Sequence, residues 1–558
     1  MKNLIPSPRI AAALVAAFVS AQSIHAAPAT WNNAAGGNWS VGSNWNPSGV
    51  PGTAADLTFG NTGAGSFNTN DITGSTNNSL IYDWSNGSQQ TTVIPAGKTL
   101  TINGSGAAGT ALLLEGSAAA APAAGTLAPA AINGGGNLVL SGLGDFVVHL
   151  GQGTAGAHLA TLDLSGLNSL TANIGRLLVG QANAGATVNR PSGILILAAT
   201  NTITCAGASP QVMVQDSGSN ANGTLESILT FGQVNFLNGD TMRLGGQKGN
   251  SRINFNAAFS TPSLKIRNAD GVSPCAVVDF GYNGAANTGN STVTTGDFSL
   301  GKVDISTALM HISQGNIGGT GGATTVLTLG AGTLAVGTLE IGYGNSTLAQ
   351  GGTGVSLGTL NVNNSGLFAS GALVQVSTVI DLGRNNGGNA VCTGNISING
   401  GELDANAITV FSNTVNSVGN ITLVSATPSS KLVLTNTAGS LSIPISSFNM
   451  QDASLTIPAL NGGATMAVKT LSLGGSGNTI NISSIPPIGS YPADFTLINY
   501  VGGYTAGNLT PVLGTLPSGG YSGSIVDTGG GVIKLHLTAG PVSTWECFGR
   551  AQRITTGT

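Results

Sequence analysis

The chain is predicted to be all-β: a long right-handed parallel β-helix, or solenoid, with a Trp-rich N-terminal cap. Of its 558 residues only 7% are charged and 86 are glycine, a composition that favours a repetitive, uncharged β-structure. Short Val, Ile, Leu and Thr runs recur almost to the end, separated by Gly and Asn. No segment after the first 26 residues keeps a 3.6-residue apolar period with caps, so almost no helix is expected. Parallel crossovers are usually right-handed, which sets the expected hand of the coil.

The first 26 residues have the features of a secretory signal peptide. Lys2 and Arg9 form a basic start, residues 10–19 are apolar, and small residues precede Ala27. The apolar run is about ten residues long, whereas a membrane-spanning helix needs about 20. The sequence therefore predicts an exported chain, secreted or held at the cell surface, with no retained transmembrane segment.

Residues 27–90 are predicted to form a Trp-rich cap and the first strands. Trp31, Trp39 and Trp45 alternate with asparagines. Their indole rings could stack on sugar rings, which makes them the candidate ligand-binding residues. Alternatively, they shield the unpaired strand edges at the open end of a solenoid. We favour the cap and keep carbohydrate binding as the alternative.

Residues 91–484 are predicted to be the solenoid itself. One phrase recurs there, an apolar β-branched or Leu run followed by Gly or Asn and another run, as in residues 91–102 and 325–342. Self-similarity with strands as the unit indicates a solenoid, and the motifs of a propeller or an immunoglobulin sandwich are missing. Asn, Ser and Thr are expected to stack in ladders, with Gly at the corners.

The expected dimensions follow from an assumed repeat. At about 20 to 25 residues per coil, the mature chain would make on the order of 20 coils. A strand spacing of about 4.8 Å then gives a rod on the order of 100 Å.

Two segments follow the solenoid. Residues 485–542 are predicted to be a distinct C-terminal β segment, because the prolines at 486, 487 and 492 cannot donate to a central strand ladder. Residues 543–558 lose the strand pattern and are predicted to be an irregular tail. The four cysteines lie far apart with no Cys-x-x-Cys pair, so we expect small buried side chains more than a long-range bridge, and no metal site; they are Cys205, Cys275, Cys392 and Cys547.

The opening carries a resemblance to a known family. Asn-Trp phrases, then a Pro-Gly turn, an Asp and a Phe, stand at Trp31, Asn38-Trp39, Asn44-Trp45, Pro51-Gly52, Asp56 and Phe59. This pattern resembles exported bacterial proteins with autotransporter-associated β-strand repeats. Strand ends that close on Gly, at 178–180, 339–342 and 380–383, are similar, as is the ending at 495–537. The resemblance implies a passenger-like right-handed parallel β-helix.

Catalytic candidates are sparse. Parallel β-helices also host polysaccharide lyases, which need carboxylates for Ca²⁺ and a basic residue; the richest neighbourhood includes Asp240, Arg243, Lys248 and Arg267. A glycoside hydrolase needs two carboxylates, and only Glu402 and Asp404 share one face of a strand. The histidines at 149, 158, 311 and 536 lack any metal or catalytic context.

The function predicted from these observations is an exported structural or adhesive β-solenoid, with no catalysis, cofactor or metal expected. Its partner would be a surface polysaccharide or another cell. A net charge of −4 without a basic block provides no electrostatic footprint for nucleic acid. The alternatives are a carbohydrate-active β-helix, either lyase or hydrolase, and a carbohydrate-binding protein using the N-terminal tryptophans.

Overall fold

The computed structural model describes residues 28–60, 67–84, 89–104, 109–116, 125–126, 129–151, 156–182, 189–216, 225–246, 249–283, 291–316, 321–345, 354–386, 390–412, 416–427, 429–460, 465–506, 512–513 and 520–541. Within these ranges the chain is all-β, as predicted, with one 3₁₀ turn at Gly42–Asn44 and no α-helix. Accordingly, no helix in the described residues is long and apolar enough to cross a bilayer. The signal-peptide segment, Cys547 and the tail at 543–558 lie outside the described residues.

The strands succeed one another with short connections. The first part of the chain contains β1 (Ala29–Trp31), β2 (Gly37–Asn38), β3 (Trp45–Asn46), β4 (Asp56–Phe59), β5 (Phe67–Thr69), β6 (Ser75–Asn77), β7 (Ser79–Trp84), β8 (Gln90–Val93), β9 (Thr99–Ile102), β10 (Thr110–Gly116), β11 (Gly125–Thr126), β12 (Ala130–Asn133), β13 (Asn137–Leu140), β14 (Asp145–Gly151), β15 (Gly156–Asp163), β16 (Ser169–Ile174), β17 (Leu177–Ala182), β18 (Asn189–Ile196), β19 (Thr200–Cys205) and β20 (Val212–Asp216).

The remaining strands include two long ones that run around whole coils. They are β21 (Glu226–Phe231), β22 (Val234–Asn238), β23 (Thr241–Leu244), β24 (Asn250–Phe255), β25 (Ser263–Arg267), β26 (Cys275–Asn283), β27 (Thr292–Asn316), β28 (Ala323–Asn345), β29 (Ser356–Asn363), β30 (Ala372–Leu382), β31 (Cys392–Asn399), β32 (Glu402–Ala405), β33 (Ile408–Val410), β34 (Ser417–Val424), β35 (Lys431–Leu434), β36 (Ile445–Gln451), β37 (Ser454–Ile457), β38 (Met466–Gly474), β39 (Thr479–Ile482), β40 (Ala493–Tyr500), β41 (Tyr504–Ala506), β42 (Val512–Leu513), β43 (Ser522–Asp527) and β44 (Val532–Ala539).

Each coil contributes one strand segment to each of three parallel faces, so the molecule is a solenoid. We name the faces in chain order. Sheet I contains β12, β15, β18, β21 and β24; sheet II contains β13, β16, β19, β22 and β25; sheet III contains β14, β17, β20, β23 and β26. The long strands β27 and β28 pass through all three faces, as their pairing with each other and with β24, β25 and β26 shows.

The core is built from columns in which each coil repeats one inward position. One column of sheet III is continuous through sixteen coils, and all of its members are buried; they are Ala29, Leu57, Leu80, Leu112, Phe146, Leu177, Val212, Met242, Val278, Met310, Leu339, Ile380, Ile408, Ala438, Met466 and Ile498. Such a column removes apolar surface from water on both sides of every member, which stabilises each coil only in the presence of its neighbours.

The coils are longer and fewer than the sequence suggested. Fifteen steps separate Ala29 from Ile498, which is about 31 residues per step, not 20 to 25. At about 4.8 Å per step the column is about 70 Å long, not on the order of 100 Å. The expected coil length was too short because each coil contains three strands and three corners. Two neighbouring apolar runs in the sequence therefore cover less than one complete turn.

Ladders of polar side chains occur both inside and outside. In sheet II the buried Asn201 donates from Nδ2 to Asn235 Oδ1 at 2.8 Å. In sheet I Asn420 donates to Asn395 Oδ1 at 2.9 Å and accepts from Ser447 Oγ at 2.7 Å. In-register stacking therefore satisfies amide groups between coils.

The three N-terminal tryptophans form the predicted cap. Trp31, Trp39 and Trp45 are at most 3% exposed and pack on Phe59, with ring centroids 5.7 to 6.2 Å from the phenyl ring. Their indole N–H groups are all bonded, for example Trp39 Nε1 to Asn68 Oδ1 at 2.9 Å. Strand β3 runs antiparallel along the outer edge of β1 and covers the strand edge of the first coil.

The C-terminal end changes strand direction. After the proline-rich connection, β40 still pairs in parallel with β38, but its other edge is covered by β44 in antiparallel orientation, and β43 adds to β44. Farther up the chain Cys205, Cys275 and Cys392 are buried and unpaired, and burial raises the pKa of each thiol to about 12. These three side chains therefore act as small apolar residues.

One corner of the solenoid is built from a column of left-handed residues. Eight successive coils place a residue with φ between 58° and 97° at the same register, namely His149, Gly180, Gln215, Gly245, Gly281, Ser313, Gly342 and Gly383. Where the residue is not glycine, its side chain forms a buried hydrogen bond across the corner, as Ser313 does to the Ala323 carbonyl at 2.9 Å. The strand ends at 178–180, 339–342 and 380–383 close on Gly because the corner requires a positive φ there.

Two glycines allow the corner to be tested. Gly342 and Gly366 have nearly equal φ values of 73° and 72°, but a Cβ on Gly342 would overlap the Thr393 carbonyl oxygen, whereas a Cβ on Gly366 would meet nothing within 4 Å. Gly366→Ala is expected to cost roughly 1 to 2 kcal/mol of unfolding free energy from backbone strain alone. Gly342→Ala should cost more, because the next coil must also move. Urea unfolding followed by circular dichroism measures both, and equal losses would contradict the corner column.

Candidate functional site

The outward face of sheet III carries ionisable side chains at one register position in five successive coils. The strand pairing aligns Arg243, Asp279, His311, Glu340 and Asp381 in that order. Asp279, His311 and Glu340 are only 4%, 7% and 6% exposed. In a chain with 7% charged residues, this charged column is a concentration of ionisable groups that needs a physical account.

His311 lies at the centre of the charged column, between two carboxylates. Its Nδ1 is 2.6 Å from Asp279 Oδ1, and its Nε2 is 2.9 Å from Glu340 Oε2. Register stacking produces this geometry, because the three residues lie directly above one another on neighbouring strands.

Two arginines neutralise carboxylates of the column. Arg243 Nε lies 3.9 Å from the second carboxylate oxygen of Asp279. Arg384 lies between the neighbouring carboxylates Glu340 and Asp381, with Nη1 2.5 Å from Glu340 Oε1 and 3.6 Å from Asp381 Oδ2. With His311 protonated, the charges of the six groups sum to zero.

Aromatic rings cover the charged column from outside. The Tyr343 ring stacks on the His311 imidazole at a centroid distance of 5.2 Å and an interplanar angle of 16°. The Arg384 guanidinium lies 5.6 Å from the Tyr343 centroid, and that of Arg243 lies 3.9 Å from the Tyr282 centroid. Cation–π contacts of this kind become stronger as water is excluded.

The pKa values of the column follow from this arrangement. Burial alone would lower the pKa of His311, but hydrogen bonds and charges from Asp279 and Glu340 outweigh it and raise the pKa to about 9. Burial would raise the pKa of Glu340, yet His311 and Arg384 bring it below its ordinary value. For Asp381, burial is the largest influence and raises the pKa, with the Thr409 hydroxyl and Arg384 acting against it. His311 is therefore a buried imidazolium at neutral pH.

This arrangement suits a structural role better than a chemical one. A protonated imidazole with both nitrogens bound to carboxylates has no lone pair for a proton or a metal ion. The described residues contain no group of three His, Cys, Asp or Glu that could hold a metal. We conclude that ion pairs along the charged column join five coils, with Arg384 bridging the two adjacent carboxylates Glu340 and Asp381.

The same register position is apolar in the preceding coils. There it holds Leu113, Val147, Leu178 and Met213, which are buried in a small cluster separate from the main core. The column thus changes from apolar to charged at Arg243. Apolar side chains stack in many registers, whereas an alternating charge ladder matches in one, so the second half has the more specific register.

The predicted aromatic platform does not present its rings. Trp31, Trp39 and Trp45 bury their indoles in the cap, and a sugar platform requires an exposed indole face. The three tryptophans therefore form part of the apolar cap at the N-terminal end of the solenoid.

The residues of the predicted charged cluster have different partners. Arg243 belongs to the charged column on sheet III, whereas Arg267 lies at the end of β25 in sheet II and binds Asp304 at 2.5 Å. Asp240 accepts hydrogen bonds from Asn268 Nδ2 at 2.9 Å and from the Ala276 amide at 3.3 Å. Lys248 lies outside the described residues. The charges of Asp240 and Arg267 both act on the pKa of the Cys275 thiol, whereas Arg243 interacts with Asp279.

The predicted carboxylate pair is in direct contact. Glu402 and Asp404 lie on the same face of β32, burial and the neighbouring Glu402 charge raise the pKa of Asp404, and the two carboxyl groups are within hydrogen-bonding reach. Lys431 lies 3.4 Å from Glu402. Glycosidases hold their carboxylates about 5 to 10 Å apart to admit a sugar or water, so contacting carboxyls do not match that geometry.

Sequence reasoning missed the charged column. His311, Glu340 and Asp381 are 29 and 41 residues apart in the chain, so their spacing alone does not predict that they meet. A signal was nevertheless present in the sequence. Each of the three residues stands between two apolar residues, and a left-handed corner residue follows two positions later, namely Ser313, Gly342 or Gly383. Aligning the sequence on that corner would have stacked the charges.

Comparisons with family models, with curated proteins and with solved structures gave no match. The resemblance to autotransporter-associated β-strand repeats therefore stays a prediction from the Trp-rich opening and the glycine-closed strands.

The charged column predicts a pH dependence of stability. The pKa of His311 rises from about 6.5 unfolded to about 9 folded, so its contribution is full below pH 6.5 and is lost as pH rises from 6.5 to 9. The difference corresponds to about 3 kcal/mol. Urea midpoints at pH 6 and pH 9 measure it, and the variant with Leu at 279, 311 and 340 provides the control with a flatter profile. Equal wild-type midpoints would contradict the protonated state.

Removing one partner and removing a charge-balanced set should have opposite effects. Glu340→Ala leaves His311 without one carboxylate in a buried place and is expected to cost about 3 to 5 kcal/mol. Replacing Arg243, Asp279, His311 and Glu340 together by Leu removes two positive and two negative charges, leaves Arg384 paired with Asp381 and extends the apolar half of the column, so it should be neutral or stabilising. Thermal melts of both variants at pH 6 test this. A fourfold variant less stable than Glu340→Ala would contradict the comparison with the apolar half.

Proposed function

We propose that the protein is an exported, non-enzymatic β-solenoid that acts as a structural and adhesive element at the cell surface. The observation that carries the proposal is the unbroken inward column from Ala29 to Ile498, with strand edges covered by β3 at one end and by β44 at the other. A rod about 70 Å long displays an extended surface, and the covered edges of β1 and β40 are closed to end-to-end strand pairing.

The surface chemistry supports this role. The described ladders of Asn, Ser and Thr present neutral hydrogen-bonding groups at the strand spacing of about 4.8 Å. Most described charges occur in pairs, such as Arg252 with Glu226 at 2.7 Å and Arg176 with Asp145 at 2.5 Å. A neutral, repetitive surface suits many weak contacts to another repetitive surface, for instance a polysaccharide or a neighbouring cell.

The carbohydrate-active alternative is supported less well. A lyase or hydrolase needs its acid, base or metal-binding groups around one cleft. Arg243, Arg267 and Asp240 are engaged separately, and Glu402 contacts Asp404. These arrangements favour a scaffold over catalysis.

Localisation and activity are tested together. Antibody labelling and protease shaving of intact cells of the encoding organism should detect the protein outside, with a mature N-terminus near Ala27. The purified mature chain, incubated with calcium and a polysaccharide panel, should release neither reducing ends nor unsaturated products.

Each outcome has a separate meaning. Protein found only inside intact cells would refute the surface role. Product release would refute the non-enzymatic reading, and alanine substitutions at Arg243 and Arg267 would then locate the activity.

A further inference from the structure

An open groove of about 670 Å³ crosses six coils, from Pro274 to Thr435, where sheet II bends into sheet III. Its middle line is one register column of Thr307, Val336, Val376 and Ala405, all buried. Thr435 lies in the next coil along the groove. The groove therefore runs along the solenoid axis, perpendicular to the strands.

Small side chains make the hollow. In the coils of Thr307 and Val336 the residues flanking the middle line are Ser306, Ala308, Ala335 and Gly337. A Cβ on Gly337 would overlap the Ala308 carbonyl oxygen, so only glycine fits there. The hollow thus arises because these coils have Ala, Ser and Gly where larger side chains would fill the space.

The edges of the groove are polar and repeat with the coils. Ser306, Ala335, Gln375 and Asp404 follow one another on the sheet II side, and Ser377 lies on the other side. Gln375 and Ser377 are exposed. The hydroxyls of Ser306 and Ser377 have no hydrogen-bond partner in the described part of the chain. A bound molecule would meet the small apolar surfaces of Ala308, Ala335 and Gly337, with polar groups along the edges.

This pattern selects among polymers. No Lys or Arg lines the groove, and Asp404 is the one ionisable residue among its lining residues, so a polyanion is not favoured. An extended peptide usually binds by adding to a sheet edge, but the main-chain groups here are already paired with the coils on both sides. A neutral glycan remains, because its rings present an apolar C–H face with hydroxyls along the edges.

We propose that this groove binds an extended neutral polysaccharide, with about one sugar ring per coil over a length of about 20 Å. The proposal rests on the proposed adhesive function and assigns its contact site. Gln375 and the hydroxyls of Ser306 and Ser377 would hydrogen-bond the sugar hydroxyls, and Ala308, Ala335 and Gly337 would contact the ring faces.

The experiment uses the purified mature chain and calorimetric titration with cellopentaose, xylopentaose, mannopentaose and laminaripentaose, with pentagalacturonate as the anionic comparison. At least one neutral pentasaccharide is expected to bind. Ala308→Phe, at an exposed strand position in the groove, should weaken that binding at least about tenfold, and Gln375→Ala should weaken it about fivefold through a lost hydrogen bond. Thr171→Phe is the matched control, at an exposed strand position four coils away from Ala308, and should leave binding unchanged.

The outcomes are distinct. No binding of any neutral probe, or tighter binding of pentagalacturonate, overturns the groove proposal. Binding that Ala308→Phe and Gln375→Ala leave intact also overturns it, since the sugar then binds elsewhere. In either case surface detection on intact cells would still support the adhesive role, whereas its loss would refute the proposed function itself.

Discussion

The structure depends on one constraint: parallel strands in register place residues of neighbouring coils directly above one another, about 4.8 Å apart. Residues at one register position therefore form a column along the solenoid. A side chain is tolerated only if it packs favourably against the residues at the same position in the coils above and below. Leu, Ile and Val satisfy this inside, as the column from Ala29 to Ile498 illustrates. Asn satisfies it through amide ladders such as Asn201 with Asn235. Like charges do not satisfy it, which is the physical reason for the low charge of the chain.

The charged column is the exception that obeys the same constraint. Asp279, His311 and Glu340 are acceptable in one stack because their charges alternate, and Arg384 lies between the like-charged neighbours Glu340 and Asp381. In the preceding coils the same register position is occupied by Leu, Val and Met. Burying ions costs solvation energy that apolar residues do not lose, so the gain lies in register specificity rather than in stability.

The groove and the rod belong to one functional picture. A solenoid without a deep cavity can still recognise a polymer, because its own repeat supplies equivalent groups at regular intervals. The small residues around Gly337 open the surface for such contact, and the surrounding coils keep it rigid. Weak contacts repeated along a rod suit attachment to an equally repetitive surface.

The sequence alone determined the fold class, because strand-length apolar runs, turn residues and missing helix periodicity are local properties. It also predicted the N-terminal cap, since clustered tryptophans beside an open solenoid end have few other places to be buried. It did not determine the coil length, because the number of strands per turn depends on which corners close. His311 and Glu340 are 29 residues apart in the chain, and only the register of β27 on β28 brings their side chains to 2.9 Å. The residues of one column are far apart in the sequence. Only the tertiary structure therefore decided which side chains contact one another in the charged column.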